Sequence, residues 1–261
     1  MGRLGRTGRL RARWTCLFLA AVLLTAQGLL CASLTRAVPA DSSLPGQVEV
    51  SPAPTPAPTA DGGLIALTFD DGPRRSTTTR LLDGLSERGV KATFFLIGAQ
   101  IENNGDVVRR MDEEGHQVGI HTFDHVKLTD LSRTDFDAQV ETTRALLKST
   151  LGHNDFLLRP PYGMLDESVK AWAGCPIILW SIDPEDWRDQ NTDRVVREVV
   201  AGARDGGIIL MHDIFPESVD AALQIVDQLH QQGYLFCTVD ELFAARGLPL
   251  EAGEMYWNAY P

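Results

Sequence analysis

From residue 64 onward, short runs of apolar and β-branched residues alternate with longer stretches whose apolar residues recur at helical spacing. The alternation repeats seven times, and few folds accept it. It predicts strands at 64–69, 92–97, 117–120, 156–159, 176–182, 207–211 and 234–238. Helices are expected at 76–88, 106–114, 132–151, 166–173, 192–203, 217–232 and 240–245. Punctuation supports these spans: Ser132-x-x-Asp135 can cap a helix, Thr192 is a good N-cap, and Gly89, Gly115, Gly152 and Gly233 stand where helices end. Runs such as Ile208-Ile209-Leu210-Met211 carry no polar face, so both faces of those strands must be covered, which calls for parallel strands under helices. The expected class is α/β. Seven such units close better than they lie flat, so the expected architecture is an irregular (β/α)7 barrel, with an open doubly wound sheet as the alternative. In either arrangement ligands gather at the carboxyl ends of the strands.

Those ends are rich in chemistry. The first strand runs into Thr68-Phe69-Asp70-Asp71-Gly72-Pro73, and the third into His121-Thr122-Phe123-Asp124-His125. The fourth ends in Arg159-Pro160-Pro161-Tyr162, the fifth in Asp183-Pro184-Glu185-Asp186-Trp187, and the sixth in Leu210-Met211-His212. Each has a bland reading: Asp-Gly is a common turn, and a lone His-x-x-x-His is a weak pattern. Two histidines four apart meet one metal if the segment turns helically, and a nearby carboxylate completes a facial set that leaves positions open. Acids, an arginine and three histidines at five strand ends on one face make coincidence a poor account. His116, His153 and His230 lie near helix termini and are expected to be solvated, and Asp124, Glu185 and Asp213 to be loop charges.

The ends of the chain differ from this body. Residues 1–37 contain six arginines and no acid, leaving 18 basic against 35 acidic residues, a net −17, for the remainder. So acidic a body repels nucleic acid and anionic membrane surfaces and suits neutral substrates. Residues 14–34 are uncharged, long enough at roughly 30 Å as a helix to cross a bilayer. Arginines before that run place the N-terminus inside and the body outside, either as a membrane anchor or as a cleaved signal peptide. Both readings put the working domain outside the cytoplasm. Residues 38–63, with Pro-Ala-Pro-Thr repeated, form an extended linker. Domain limits of 1–37, 38–63, 64–247 and a 248–261 tail follow, the tail expected to pack on the barrel or hold a sugar. Cys175 and Cys237 lack metal-binding spacing and are expected to be buried thiols.

Taken in order, the five motifs from Thr68 to His212 resemble those of the polysaccharide deacetylases of the NodB-homology type, carbohydrate esterase family 4, over about residues 64–247. The resemblance implies a barrel of that deacetylase type. It further implies that Asp71, His121 and His125 bind one divalent metal ion, zinc with cobalt as the alternative. Asp70 would be the base that takes a proton from water, with Arg159 pairing to it, and His212 the general acid, its pKa raised by Asp186. The backbone N–H of Tyr162 would help stabilise the oxyanion, and Trp187 and Leu210 would line the slot for the acetyl methyl or simply be core. The partner so implied is an N-acetylated polysaccharide outside the cell, peptidoglycan ahead of chitin, with no nucleic acid. Two rivals stay open: an O-deacetylase acting on a xylan-type polymer, and a wall-binding module that keeps the cleft without turnover.

Overall fold

Strand β1 (Gly63–Asp70) serves two cores at once, because successive side chains of a strand point to opposite faces. Ile65, Leu67 and Phe69 join the large cluster that includes the covering helices, whereas Ala66, Thr68 and Asp70 face the barrel interior. A computed structural model describes residues 62–261. After β1 come α1 (Arg75–Glu87), β2 (Thr93–Leu96), α2 (Gly98–Ile101), α3 (Gly105–Glu113), β3 (Gln117–Ile120), α4 (Arg133–Leu151), α5 (Glu167–Trp172) and β4 (Ile177–Ile178). The chain continues through α6 (Asp186–Asp189), α7 (Thr192–Gly202), β5 (Ile208–His212), α8 (Pro216–Gln231), β6 (Tyr234–Cys237), α9 (Val239–Ala245) and β7 (Met255–Tyr256).

The strands are parallel, in the order β3-β2-β1-β5. Ala66 pairs with both Ile208 of β5 and Cys237 of β6, while Thr68 pairs with both Leu210 of β5 and Thr93 of β2. Therefore β6 and β2 follow one another along the same edge of β1. The rest of the wall is made by single bridges, from Leu158 to Ile120 and Ile177, and from Ile182 to Ile209. The result is the irregular (β/α)7 barrel expected from the repeat, rather than an open sheet.

Two expected strands are shorter than their apolar runs. At 156–159 only Leu158 bridges its neighbours, because Pro160 and Pro161 have no N–H with which to extend the ladder. The run at 176–182 reduces to Ile177–Ile178, whose free edge is taken by β7 from the C-terminal tail before the chain crosses to β5 at Ile182. The tail continues along the wall, with the Ala259 N–H donating to Gly206 O at 2.8 Å and Ala259 itself buried.

Several helix boundaries follow their caps. Ser132 Oγ accepts the Asp135 N–H at 3.2 Å, and α4 ends on Gly152 at φ 83°; Gly89, Gly115 and Gly233 also have positive φ. The cap of α7 is Asn191 rather than Thr192: Asn191 Oδ1 accepts the Arg194 N–H at 3.0 Å, and Thr192 is already the first helical residue. Cys175 and Cys237 are free and buried, and burial pushes the Cys237 thiol up to about 12. His116 is not solvated. The turn at Gly115 folds it against Phe94, its Nδ1 accepts the Ala92 N–H at 3.0 Å, and burial lowers its pKa to about 4. The arginine-rich start, the apolar run at 14–34, Cys16, Cys31 and the linker up to residue 61 lie outside the described residues; among the described ones no helix is long and apolar enough to cross a membrane.

Candidate active site

Strand parity and register build the first half of the site. Thr68 and Asp70 of β1 face inward, their register partners on β5 are Leu210 and His212, and so Asp70 and His212 stand side by side at the carboxyl end of the barrel. Arg159 lies fully buried beside them. Its Nη1 donates to Asp70 Oδ1 at 2.8 Å and to Thr68 Oγ1 at 2.7 Å, its Nε to Ile178 O at 3.1 Å, and its Nη2 to Leu179 O at 3.0 Å. The guanidinium carbon also sits 4.1 Å from the centre of the Phe95 ring. Burial lowers the Arg159 pKa from its ordinary value, and the Asp70 charge works against that fall. A buried charge is tolerated only when paired and hydrogen-bonded, and this one is both. Thr68, two residues before Asp70 on the same inward face, is the third partner of this pair, and only the strand's alternation marks it in the sequence.

Asp71 comes next, at φ 74°, a left-handed conformation that costs a residue with a side chain about 1–3 kcal/mol and turns its carboxylate out of the strand direction. Its Oδ1 lies 3.5 Å from His121 Nε2 and 3.2 Å from His125 Nε2. The two histidines meet without the helical turn that their four-residue spacing would otherwise need. Thr122 and His125 have φ of 64° and 57°, and the segment is a bent loop. Its shape is imposed from outside: the Gly98 and Ala99 N–H groups donate to Thr122 O and Phe123 O, and Gln139 of α4 clamps the middle. Gln139 Oε1 accepts the N–H of Phe123 at 3.0 Å and of Asp124 at 2.9 Å, while its Nε2 donates to Asp124 Oδ2 at 3.1 Å. Gly98 is required there, since a Cβ would fall 2.5 Å from Thr143 Oγ1 and 3.1 Å from Phe123 Cα.

One ligand atom from each of Asp71, His121 and His125 lies within 4.8 Å of the others, which suits a small divalent cation. Two further observations fit. Asp71 Oδ1 is buried with no hydrogen-bond partner. His121 Nδ1 lies 2.7 Å from Arg159 O, which can only accept, so the proton sits on Nδ1 and the Nε2 lone pair is free to bind. Burial lowers the His121 pKa, which keeps the ring neutral as a ligand must be.

His212 faces the cluster from β5, its Nε2 4.0 Å from Asp71 Oδ2. Asp186, fully buried at the start of α6, takes the other side: Oδ1 lies 2.8 Å from His212 Nδ1, and Oδ2 accepts the His212 N–H at 2.9 Å. Burial alone would lower the imidazole pKa, but the Asp186 hydrogen bond and the charges of Asp186, Asp70 and Asp71 outweigh it and raise the value to about 9. Asp213 lies in the turn after β5, as expected of a loop residue, but it is not a solvated charge. It is fully buried, accepts from the Thr78 hydroxyl, and approaches Gly72 so closely that a Cβ there would fall 2.4 Å from its Oδ1. Burial pushes its carboxyl up to about 7. Its place directly after His212 in a buried strand was the available signal. Asp124 is exposed and Glu185 half-buried.

Tyr162 sits at φ 62° in a short 3-10 turn, with its hydroxyl 3.4 Å from His125 Nδ1. The hydrogen bonds closing that turn come from Gly163 and Met164, not from Tyr162. Leu210 is buried on the inward face below His212, and Trp187 exposes 51% of its surface. A cavity of about 330 Å³ adjoins Asp71 and His125. A larger one, of about 700 Å³, lies where Asn154–Leu157 and Cys175–Pro176 enter their strands, away from every motif residue.

The polysaccharide deacetylase family model matches residues 57–174. The peptidoglycan-N-acetylglucosamine deacetylase PgdA of Listeria monocytogenes is 41% identical over 215 residues, covering 82% of this chain but only 45% of its own length, so the chain spans about half of that relative. The structure of the peptidoglycan deacetylase PdaC from Bacillus subtilis superposes with a TM-score of 0.70 at 38% identity, covering 72% of this chain and 93% of that one. A family 4 acetyl xylan esterase from Clostridium thermocellum, solved with a cobalt ion, gives a TM-score of 0.72 at 30% identity, covering 75% and 98%. With a matching family model, a matching barrel and relatives covered over nearly their whole structures, the chain belongs to the polysaccharide deacetylase family.

Proposed function

We propose that this protein is a metal-dependent hydrolase that removes N-acetyl groups from an extracellular amino-sugar polymer, peptidoglycan in the first place, and releases acetate. The observation that carries the reading is a pair of groups held by partners of opposite charge, Asp70 by Arg159 and His212 by Asp186, flanking one cluster of ligand atoms. Two of the relatives described above are named for peptidoglycan, and the N-terminal sequence points to export. Zinc or cobalt, held by Asp71, His121 and His125, would supply Lewis acidity, polarising the acetyl carbonyl and acidifying water.

Amide hydrolysis needs a proton removed from the attacking water and another delivered to the departing nitrogen. Asp70 accepts the first, because the Arg159 bond at 2.8 Å fixes the direction of its carboxylate. His212 delivers the second, because Asp186 keeps its ring protonated near neutrality. The uncommitted N–H of Tyr162 donates to the oxyanion that develops on the acetyl oxygen. Trp187 and Leu210 line the slot for the acetyl methyl. Chelation should abolish acetate release, and Zn²⁺ or Co²⁺ should restore it; full activity in ion-free protein would reject the mechanism.

Gln139 supplies a second test, one that reads binding directly. Losing its three contacts with the loop between the two histidines should weaken Zn²⁺ binding by about 10- to 100-fold in Gln139→Ala, measured by competition with a chromogenic chelator. Gln139→Glu still accepts both N–H groups but repels Asp124, so it should fall between the two. Unchanged affinity in both variants would make the clamp irrelevant to the ligands. A second reading, an O-deacetylase of xylan-type polymers, is favoured by the likeness to the acetyl xylan esterase. Mass spectrometry of muropeptides, chitooligosaccharides and acetylated xylan after incubation with Zn²⁺-loaded protein decides between them. Absence of acetate from all three would leave a wall-binding module.

A further inference from the structure

The 330 Å³ cavity beside the ligand cluster is lined by Asp71 and His125 together with Arg74, Gln100, Ile97 and Ile214. Its volume suits a substituent rather than a run of sugar rings. Arg74 is the one guanidinium in that lining. Elsewhere in this acidic chain arginines are drawn to carboxylates: the neighbouring Arg75 and Arg80 pair with Asp106 and Asp220, each at 2.7 Å. Among the described residues Arg74 has no carboxylate partner. Its Nη1 donates to Ile214 O at 3.0 Å, a tether that fixes the group at the cavity wall without neutralising it and leaves its other N–H groups uncommitted.

The root of the side chain is equally fixed. The Arg74 N–H donates to Thr78 Oγ1 at 2.8 Å, and the Thr78 hydroxyl donates in turn to the buried Asp213. Neutral sugar hydroxyls gain little from a full positive charge, whereas a carboxylate matches the planar fork of a guanidinium in both charge and shape. From this, the geometry points to an anion subsite: Arg74, with Gln100 in the same cavity lining, receives a carboxylate carried by a substituent of the glycan next to the acetamide that reacts.

This inference rests on the deacetylase reading and sharpens it, since it sets a carboxylate-bearing glycan above an uncharged polymer of N-acetylglucosamine. In peptidoglycan that carboxylate has two sources, the lactyl ether of the muramic acid residue and the stem peptide attached to it. Tetrasaccharides of alternating N-acetylglucosamine and N-acetylmuramic acid would be compared in three forms: with a free lactyl acid, with that acid methyl-esterified, and with the stem peptide attached. In the parent protein the preferred charged form should exceed the ester by about tenfold in kcat/KM. In Arg74→Gln that ratio should collapse towards one. Preference for the free acid identifies the lactyl source, and preference for the peptide-bearing form the stem peptide.

Equilibrium binding of the same glycans, measured in an Asp70→Asn background where nothing turns over, separates this inference from the reading beneath it. No acetate release from any glycan would overturn the deacetylase reading, while a charge preference in binding that Arg74→Gln removes would still support the subsite. No preference in the parent, or the same preference with and without Arg74, would overturn the subsite alone.

Discussion

Asp70→Asn is expected to lower acetate release by about 10²–10⁴-fold while leaving Zn²⁺ affinity within a few-fold of the parent. An amide cannot take up the proton that water must lose, so turnover falls. The substitution leaves the buried Arg159 without its counter-charge, a cost of up to about 3–5 kcal/mol that a melting curve would read. The introduced amide oxygen still accepts from Arg159 Nη1, now 2.8 Å from Asp70 Oδ1, and the guanidinium keeps its Thr68 and carbonyl partners, so the folded state should persist at moderate temperature. The ligand atoms belong to Asp71, His121 and His125, which the substitution does not touch. Asp70 Oδ2 nevertheless lies 3.7 Å from His121 Nε2, close to the 3.5 Å of Asp71 Oδ1, so the two neighbours are separated by direction more than by distance. Kinetics alone therefore cannot tell base from ligand. A variant that loses both turnover and Zn²⁺ would show that the two aspartates have exchanged roles, and one that keeps turnover would remove Asp70 from the chemistry.

The legible part of this architecture is the part written in short-range pattern. Strand periodicity places Asp70 and His212 on inward faces, and helix caps such as Ser132 act over three residues, so both can be read from the chain itself. What escaped reading is set by contacts distant in sequence. Gln139 sits in the middle of α4 with nothing local to mark it, and it matters only because the fold brings it against Phe123 and Asp124. The shape of the His121–His125 loop is set in the same way: two left-handed residues held by that clamp and by α2 bring the histidines together where a helical turn would otherwise be needed. Asp213 reads as a loop acid by type, and it does lie in the turn after β5, yet that turn buries it against Gly72 and Thr78 of α1. β7 was hidden because a two-residue strand gives no periodic signal, and its pairing to Ile177–Ile178 is what shortens β4.

Removing His212 should reveal the leaving group. His212→Ala is expected to lose about 10²-fold or more on N-acetyl substrates, whose amines depart poorly without a proton, and far less on activated aryl acetates, whose phenolates need none. Equal losses on both would reject a role as general acid. The pH dependence carries the complementary sign. A group whose pKa is raised is protonated below that value, so the acid form of His212 is present at neutrality and is lost as pH rises through about 9. A bound divalent ion offsets the share contributed by Asp70 and Asp71, but not the share from Asp186, whose carboxylate is 2.8 Å from Nδ1 on the far side of the ring. Asp186→Asn should therefore move the alkaline limb of the rate profile to lower pH, with the acid limb in place. An unmoved alkaline limb would mean that this limb reports some other group, and that Asp186 serves to aim the imidazole through its second bond, the one it accepts from the His212 N–H at 2.9 Å, rather than to hold its proton.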